Sequence, residues 1–428
     1  MSGRLLLRRA RLLDPAQNLD RRGDIMIEDG RITAIGGELP SAPGIETIDC
    51  NGACAAPGVI DMRVQLRDPG AEHLESMESA GQAAAAGGVT TMVALPNTDP
   101  PIDEVALVEF VARRSRDIRL VNIRTYAAAT RGLRGRELCE FGLLAAAGAV
   151  AFTDGDRAIA DAQVMRRALS YAHTFDLLVI QHPEDPSLAS DGAMNEGEVA
   201  TRLGIAGIPA AAEIIMVERD LRLAELTGAR LHFGHVSTAG AIDAIRQAKK
   251  RGLRVTCDTA PHYFALNENE VGEYRTFAKV SPPLRSEDDR KAVVAGLADG
   301  TIDAIASDHS PYDQDSKRLP FASAASGIVG LETLLTLSLG LYHNQDMKLL
   351  DVLRALTQRP AEILRLPAGR LAVGAPADIV IFSLDKPWRI DSEAYRSKSK
   401  NAPYDGRPVQ GLAVRTIVGG RTVFIRES

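Results

Sequence analysis

The stretch Arg230-Leu231-His232-Phe233-Gly234-His235-Val236-Ser237, followed by Ala239–Arg251, reads as an apolar run of strand length, a polar strand end and then a helical pattern. The same order recurs along the middle of the chain. Apolar runs stand at Val59–Val64, Thr90–Leu95, Val121–Tyr126, Ala149–Phe152, Leu177–Ile180, Arg230–Gly234, Arg254–Cys257 and Ile302–Ala306. Longer helical patterns such as Asp103–Ser115 and Ala158–Thr174 lie between them. About eight strand–helix units is the number that closes a parallel barrel. A doubly wound open sheet is the alternative. The barrel is favoured because no Gly-x-Gly-x-x-Gly follows the first run and polar residues end nearly every strand.

Outside this region the texture changes. Leu5–Leu7, Asp24–Ile27 and Arg31–Ile35 read as short strands with Asp/Gly turns, and Asp378–Ser383, Leu412–Val418 and Arg421–Ile425 repeat the pattern around Gly419-Gly420. We therefore expect a (β/α)8 barrel over residues 56–369 and a small β-sandwich-like sheet domain formed by residues 1–55 and 370–428. The 428 residues are 45% hydrophobic and 25% charged, enough to bury a large core and unlike a disordered chain. The net charge of -6 is interspersed. The arginines at 4, 8, 9, 11, 21 and 22 lack interleaved aromatic residues and read as solvated strand edges, so no nucleic-acid partner is expected. No apolar segment approaches the roughly 18 residues of a membrane span. The four cysteines fit no zinc-ribbon spacing and read as free thiols of a reducing cytosol. A cytoplasmic protein without a membrane partner is expected.

In barrel enzymes the chemistry sits at the C-terminal ends of the strands. Asp154, His182, His235 and Asp308 each follow an apolar run directly. Imidazole and carboxylate are the ligands of hydrolytic zinc sites, where an open position lets the metal acidify water. One strand-end His is most simply a hydrogen-bonded loop residue, and one Asp before Gly or His a turn or cap. Four at successive strand ends point instead to a present or ancestral metal site. Arg67 and Asn97 offer a guanidinium fork and an amide to a carboxylate, with a loop salt bridge as the plain alternative for Arg67. His173 and His343 lie within helical patterns and read as structural.

Pro57-Gly58-Val59-Ile60-Asp61, Arg67-Asp68-Pro69-Gly70, Ala83–Thr91, Pro96-Asn97-Thr98, His235-Val236-Ser237-Thr238, Ser281–Arg285, Ser307-Asp308-His309, Gly327–Glu332 and Ser397–Asn401 together resemble the class I dihydroorotases of the amidohydrolase superfamily. The resemblance runs from about residue 5 to about residue 425. It implies the barrel with a sheet domain built from both termini, and a zinc-dependent, reversible closure of N-carbamoyl-aspartate to dihydroorotate in pyrimidine synthesis. It also implies substrate contacts at Arg67, Asn97, Ser281 and Tyr312, and metal contacts at Asp154, His182, His235 and Asp308. Asp308 is the implied catalytic proton shuttle.

The departures are specific. Where the family has a His-x-His pair, this sequence has Arg63 and Gln65. Ser281 stands for an Asn, and Tyr312 for a substrate-facing His. Arg has no lone pair to give a metal and repels a divalent cation. The first metal position thus loses two ligands, while Asp154, His182 and His235 keep the count for one zinc at the second. Three readings follow. The chain is a one-zinc dihydroorotase with impaired or altered activity, a pseudoenzyme serving as structural partner of aspartate transcarbamoylase, or a hydrolase of another cyclic amide. A homo-oligomer with a small-molecule cyclic amide as its ligand is expected.

Overall fold

The computed structural model describes residues 3–41 and 43–427. Strand one of the barrel is Val59–Val64 and strand two Val89–Ala94, both buried throughout. Such near-continuous apolar runs are what a parallel strand covered on both faces requires. Strand three is Asn122–Thr125, continuing past Tyr126 into Ala127–Ala128. Strands four to eight are Phe152–Thr153, Leu178–Gln181, Arg230–Phe233, Val255–Thr259 and Ala304–Ile305. Every neighbouring pair from strand one to strand eight runs parallel. The ring closes where Val64 bridges His309, the Gln65 N–H donates to the His309 carbonyl at 2.8 Å, and the Ser307 N–H donates to Asp61 Oδ1 at 3.0 Å.

Strand four is shorter than the expected Ala149–Phe152. The helix Phe141–Ala147 ends on Gly148 at φ 116°. Val150 and Ala151 bond strand three, and the partnership with strand five begins only at Phe152. The helices begin at the mouth with side-chain caps. Ser76 and Ser79 form a capping box for Met77–Ala86, Asp161 caps Ala162–Thr174, and Thr238 caps Ala239–Lys250. Each satisfies first-turn N–H groups that have no helical partner.

The two ends of the chain share one sheet. Its order is Arg421–Ile425, Pro408–Val418, Ile379–Arg389, Cys54–Pro57, Arg4–Asp14, Leu19–Glu28, Arg31–Gly36, with Glu46–Asp49 also on Arg4–Asp14. Leu7, Leu12, Ile25 and Ile32 from one end and Leu371, Ile379 and Ile417 from the other form one apolar cluster. Asp378 ties this sheet to the barrel, accepting from Asn122 Nδ2 at 2.9 Å and from the Gly419 N–H at 2.7 Å. All four cysteines are buried free thiols, as the sequence suggested. Among the described residues no helix is long and apolar enough to cross a membrane.

Candidate active site

Strand one delivers Arg63 to the mouth with 3% of its surface exposed. Its Nε donates to Asp308 Oδ1 at 2.8 Å and its Nη2 to the Gly155 carbonyl at 3.3 Å. Burial raises the Asp308 carboxyl above its ordinary range, while the guanidinium beside it pulls the other way. Asp308 sits at φ 51° and His235 at φ 40°. Left-handed backbone is uncommon for such residues and here turns both side chains inward at their strand ends.

His182 and His235 meet directly, Nδ1 to Nε2, at 2.8 Å. His182 Nε2 lies 3.6 Å from Glu184 Oε2, which also accepts from Ser281 Oγ at 2.8 Å. These partners assign the tautomers. A proton on His182 Nε2 faces the carboxylate, His182 Nδ1 then accepts from His235 Nε2–H, and the His235 Nδ1 lone pair is left free. That Nδ1 has no hydrogen-bond partner among the described residues and stands 3.7 Å from Asp308 Oδ1. Burial, then Arg63 and His182, drive the His235 pKa well below its ordinary value, so the ring is neutral. His262, also buried, is lowered to about 3 by burial and by Arg63. Both its nitrogens are unpartnered among the described residues, with Nε2 3.8 Å from Asp308 Oδ2.

Asp154 ends strand four with both oxygens engaged by Thr130, Oδ1 by the backbone N–H at 2.8 Å and Oδ2 by the hydroxyl. Arg67 lies 4.6 Å over the Tyr312 ring and donates from Nε to the Pro311 carbonyl at 3.3 Å, while its buried Nη2 has no partner among the described residues. The Asn97 side chain lies against Gly155, where an added Cβ would stand 3.2 Å from it. The structure thus joins Arg63 to Asp308 and His182 to His235, with His235 Nδ1 near Asp308, and places Ser281 on Glu184 and Arg67 on Tyr312. Asp154 faces Thr130.

Zinc is the ion the resemblance implies, and the side chains do not present a cradle for it. Two nitrogens on one tetrahedral zinc, each about 2.0–2.1 Å from the metal, stand about 3.3 Å apart and aim at the ion. His182 and His235 are closer than that and aim at each other. Among the described residues no three His, Cys, Asp or Glu side chains are arranged to hold a metal ion.

Several contributors escaped the sequence reading. Glu184 carries a usable signal, since it follows His182 by two residues at the same strand end. His232 and Asp258, bonded at 2.8 Å inside the barrel, sit within strands six and seven, and Asp258 Oδ1 also receives the His235 N–H. A polar residue on the inward face of an apolar strand is the mark that finds such a pair. Glu75 leaves no such mark. It reaches His309 Nε2 at 3.4 Å only through the fold.

An eight-stranded parallel barrel whose polar strand ends converge on one mouth, with a sheet joined from both termini, is the scaffold that the resemblance to the amidohydrolase superfamily implies. L-hydantoinase from Arthrobacter aurescens superposes with a TM-score of 0.88 and 26% identity, covering 100% of this chain and 97% of that one. Dihydropyrimidinase from Brevibacillus agri shares the fold at a TM-score of 0.85 and 21% identity, over 98% and 94% of the two chains. Residues 52–241 match the family described as Dihydro-orotase-like. The dihydroorotase of Anaplasma phagocytophilum is 47% identical over 98% of this chain and 94% of its own length. That of Pelobacter propionicus is 46% identical over 99% and 100%. The chain belongs to the dihydroorotase family.

Proposed function

We propose that this protein carries a dihydroorotase-type site for a carboxylate-bearing cyclic amide, and that its zinc-dependent hydrolysis is impaired relative to the family. The observation that carries the reading is Arg63, a guanidinium without a lone pair where the resemblance implies a metal-ligating histidine, bonded to Asp308 at 2.8 Å. Of the three residues that would form the remaining zinc position, His182 and His235 bond each other and Asp154 is held by Thr130. A ligand-binding role is supported by buried polar atoms without partners in the mouth, namely Arg67 Nη2, Gln65 Oε1 and Glu184 Oε1. Leaving such groups unpaired costs about 1–3 kcal/mol each, which a bound molecule with an anionic oxygen and N–H donors recovers. Arg67, Asn97, Ser281 and Tyr312 are its proposed contacts.

The test combines zinc analysis of the purified protein with an assay of dihydroorotate hydrolysis and the reverse closure. The expected result is well under one zinc per chain and turnover far below roughly 1 per second. Stoichiometric zinc lost on His182→Ala, together with turnover at ordinary enzyme rates lost on Asp308→Asn, overturns it. If turnover is absent, stable co-purification with aspartate transcarbamoylase is the result that turns the reading into a structural partner's role.

A further inference from the structure

The Arg63 head group is enclosed by the ends of strands one, four, six and eight. Nε is spent on Asp308 and one Nη2 hydrogen on the Gly155 carbonyl. Nη1 donates to no group among the described residues. Beside it stands Gly234, where an added Cβ would come 3.4 Å from Nη1, within ordinary van der Waals contact. A guanidinium stays protonated at every accessible pH and offers donors only. Asp308, Asp154, Asp258, Asp61 and Glu184 are the carboxylates gathered there, all buried. Asp154 is satisfied by Thr130, Asp258 by His232 and the His235 N–H, and Glu184 by Ser281 and His182. Asp61 Oδ1 accepts from the Ser307 and Arg63 backbone N–H groups. Asp308 is the one that Arg63 balances.

We infer that Arg63 is a built-in cation that makes this mouth an anion-binding centre independent of any metal, with Nη1 taking an oxygen of a small carboxylate. One N–H charge-balances Asp308 and the free donors face the ligand. Because the charge is covalently attached, it survives chelation. The inference rests on the proposed function for the choice of probes alone.

The experiment titrates L-dihydroorotate and N-carbamoyl-L-aspartate calorimetrically into the full-length protein with EDTA present throughout. At least one probe is expected to bind, with an affinity unchanged when EDTA is replaced by zinc. Arg63→Gln should weaken that binding about tenfold or more, the scale of a hydrogen bond to a charged group. Since Arg63→Gln strands the Asp308 carboxylate and can unfold the chain, the deciding comparison is Arg63→Gln/Asp308→Asn against Asp308→Asn alone. There too the arginine variant should bind about tenfold or more weakly. Equal affinity in that pair overturns the inference, as does binding that appears only with zinc or no binding of either probe. Zinc-supported turnover would sink the impaired-hydrolysis reading without touching the chelated titration, so the two can fail separately.

Discussion

Lys317 is a buried cation of another kind, outside the mouth. Its Nζ donates to the carbonyls of Ala325 at 2.7 Å, Thr276 at 3.1 Å and Lys279 at 3.4 Å, and faces no carboxylate in these contacts. Burial, with Lys279 adding repulsion, lowers it to about 7 from 10.5. The sign of the linkage follows. Between about pH 7 and 10.5 the unfolded chain holds a proton that the folded chain has released, so this residue makes stability rise with pH across that window. Denaturant unfolding of wild type and Lys317→Met, compared from about pH 7 to about pH 9, should show the wild type gaining relative to the variant. A constant difference would mean that the ammonium stays charged in the fold. At Arg63 the contrast is instructive, because a guanidinium cannot escape burial by losing its proton and needs Asp308 beside it.

At the scale of elements, the barrel depends on close turns between helix and strand. The helix Met77–Ala86 ends at Gly87, and strand two starts at Val89. A Cβ at Gly87 would lie 2.1 Å from the Leu331 carbonyl oxygen and 3.0 Å from Glu332 Cα. Backbone cannot yield as a flexible side chain does. Gly87→Ala should therefore cost about 2 kcal/mol or more, within the range for overpacking a tight site. The backbone angle there, φ −84°, is ordinary for alanine, so the whole effect is steric. Chemical denaturation measures it, and a loss below about 0.5 kcal/mol would show that the Gly327–Glu332 segment shifts freely.

At the scale of the whole molecule, strands from both ends of the chain share one sheet. Ile379–Arg389 pairs Cys54–Pro57 on one side and Pro408–Val418 on the other, at the centre of the terminal sheet. Pro408–Val418 packs on the helix Leu334–His343, with Thr336 Oγ1 donating to the Gly411 carbonyl at 2.6 Å. If residues 1–55 and 370–428 form one unit, a chain ending at residue 369 exposes the apolar cluster around Leu12 and Ile25 and an open strand edge. Such a chain should be insoluble, or lose the cooperative unfolding of the full-length protein. A soluble truncated barrel with near-native thermal stability would refute the joint domain.

What the sequence determined by itself was the scaffold. Apolar runs ending in polar residues, repeated with helical patterns between them, follow from local periodicity and from the burial of parallel strands on both faces, and both are written in single stretches of chain. The substitutions Arg63 and Gln65 were equally legible, because lone-pair chemistry belongs to the residue type. Only the tertiary structure decided what those residues do. Whether Arg63 pairs with Asp154 or with Asp308 depends on how a strand of residues 59–64 closes against one of residues 304–305 across the ring, and the answer is Asp308 at 2.8 Å. That Asp154 turns to Thr130, and that His182 bonds His235, is likewise a competition among partners brought within hydrogen-bond reach by the barrel. Sequence order carries no information on such distances. They are fixed when the eight strands close, which is why the fold was readable from the chain and the chemical state of its mouth was not.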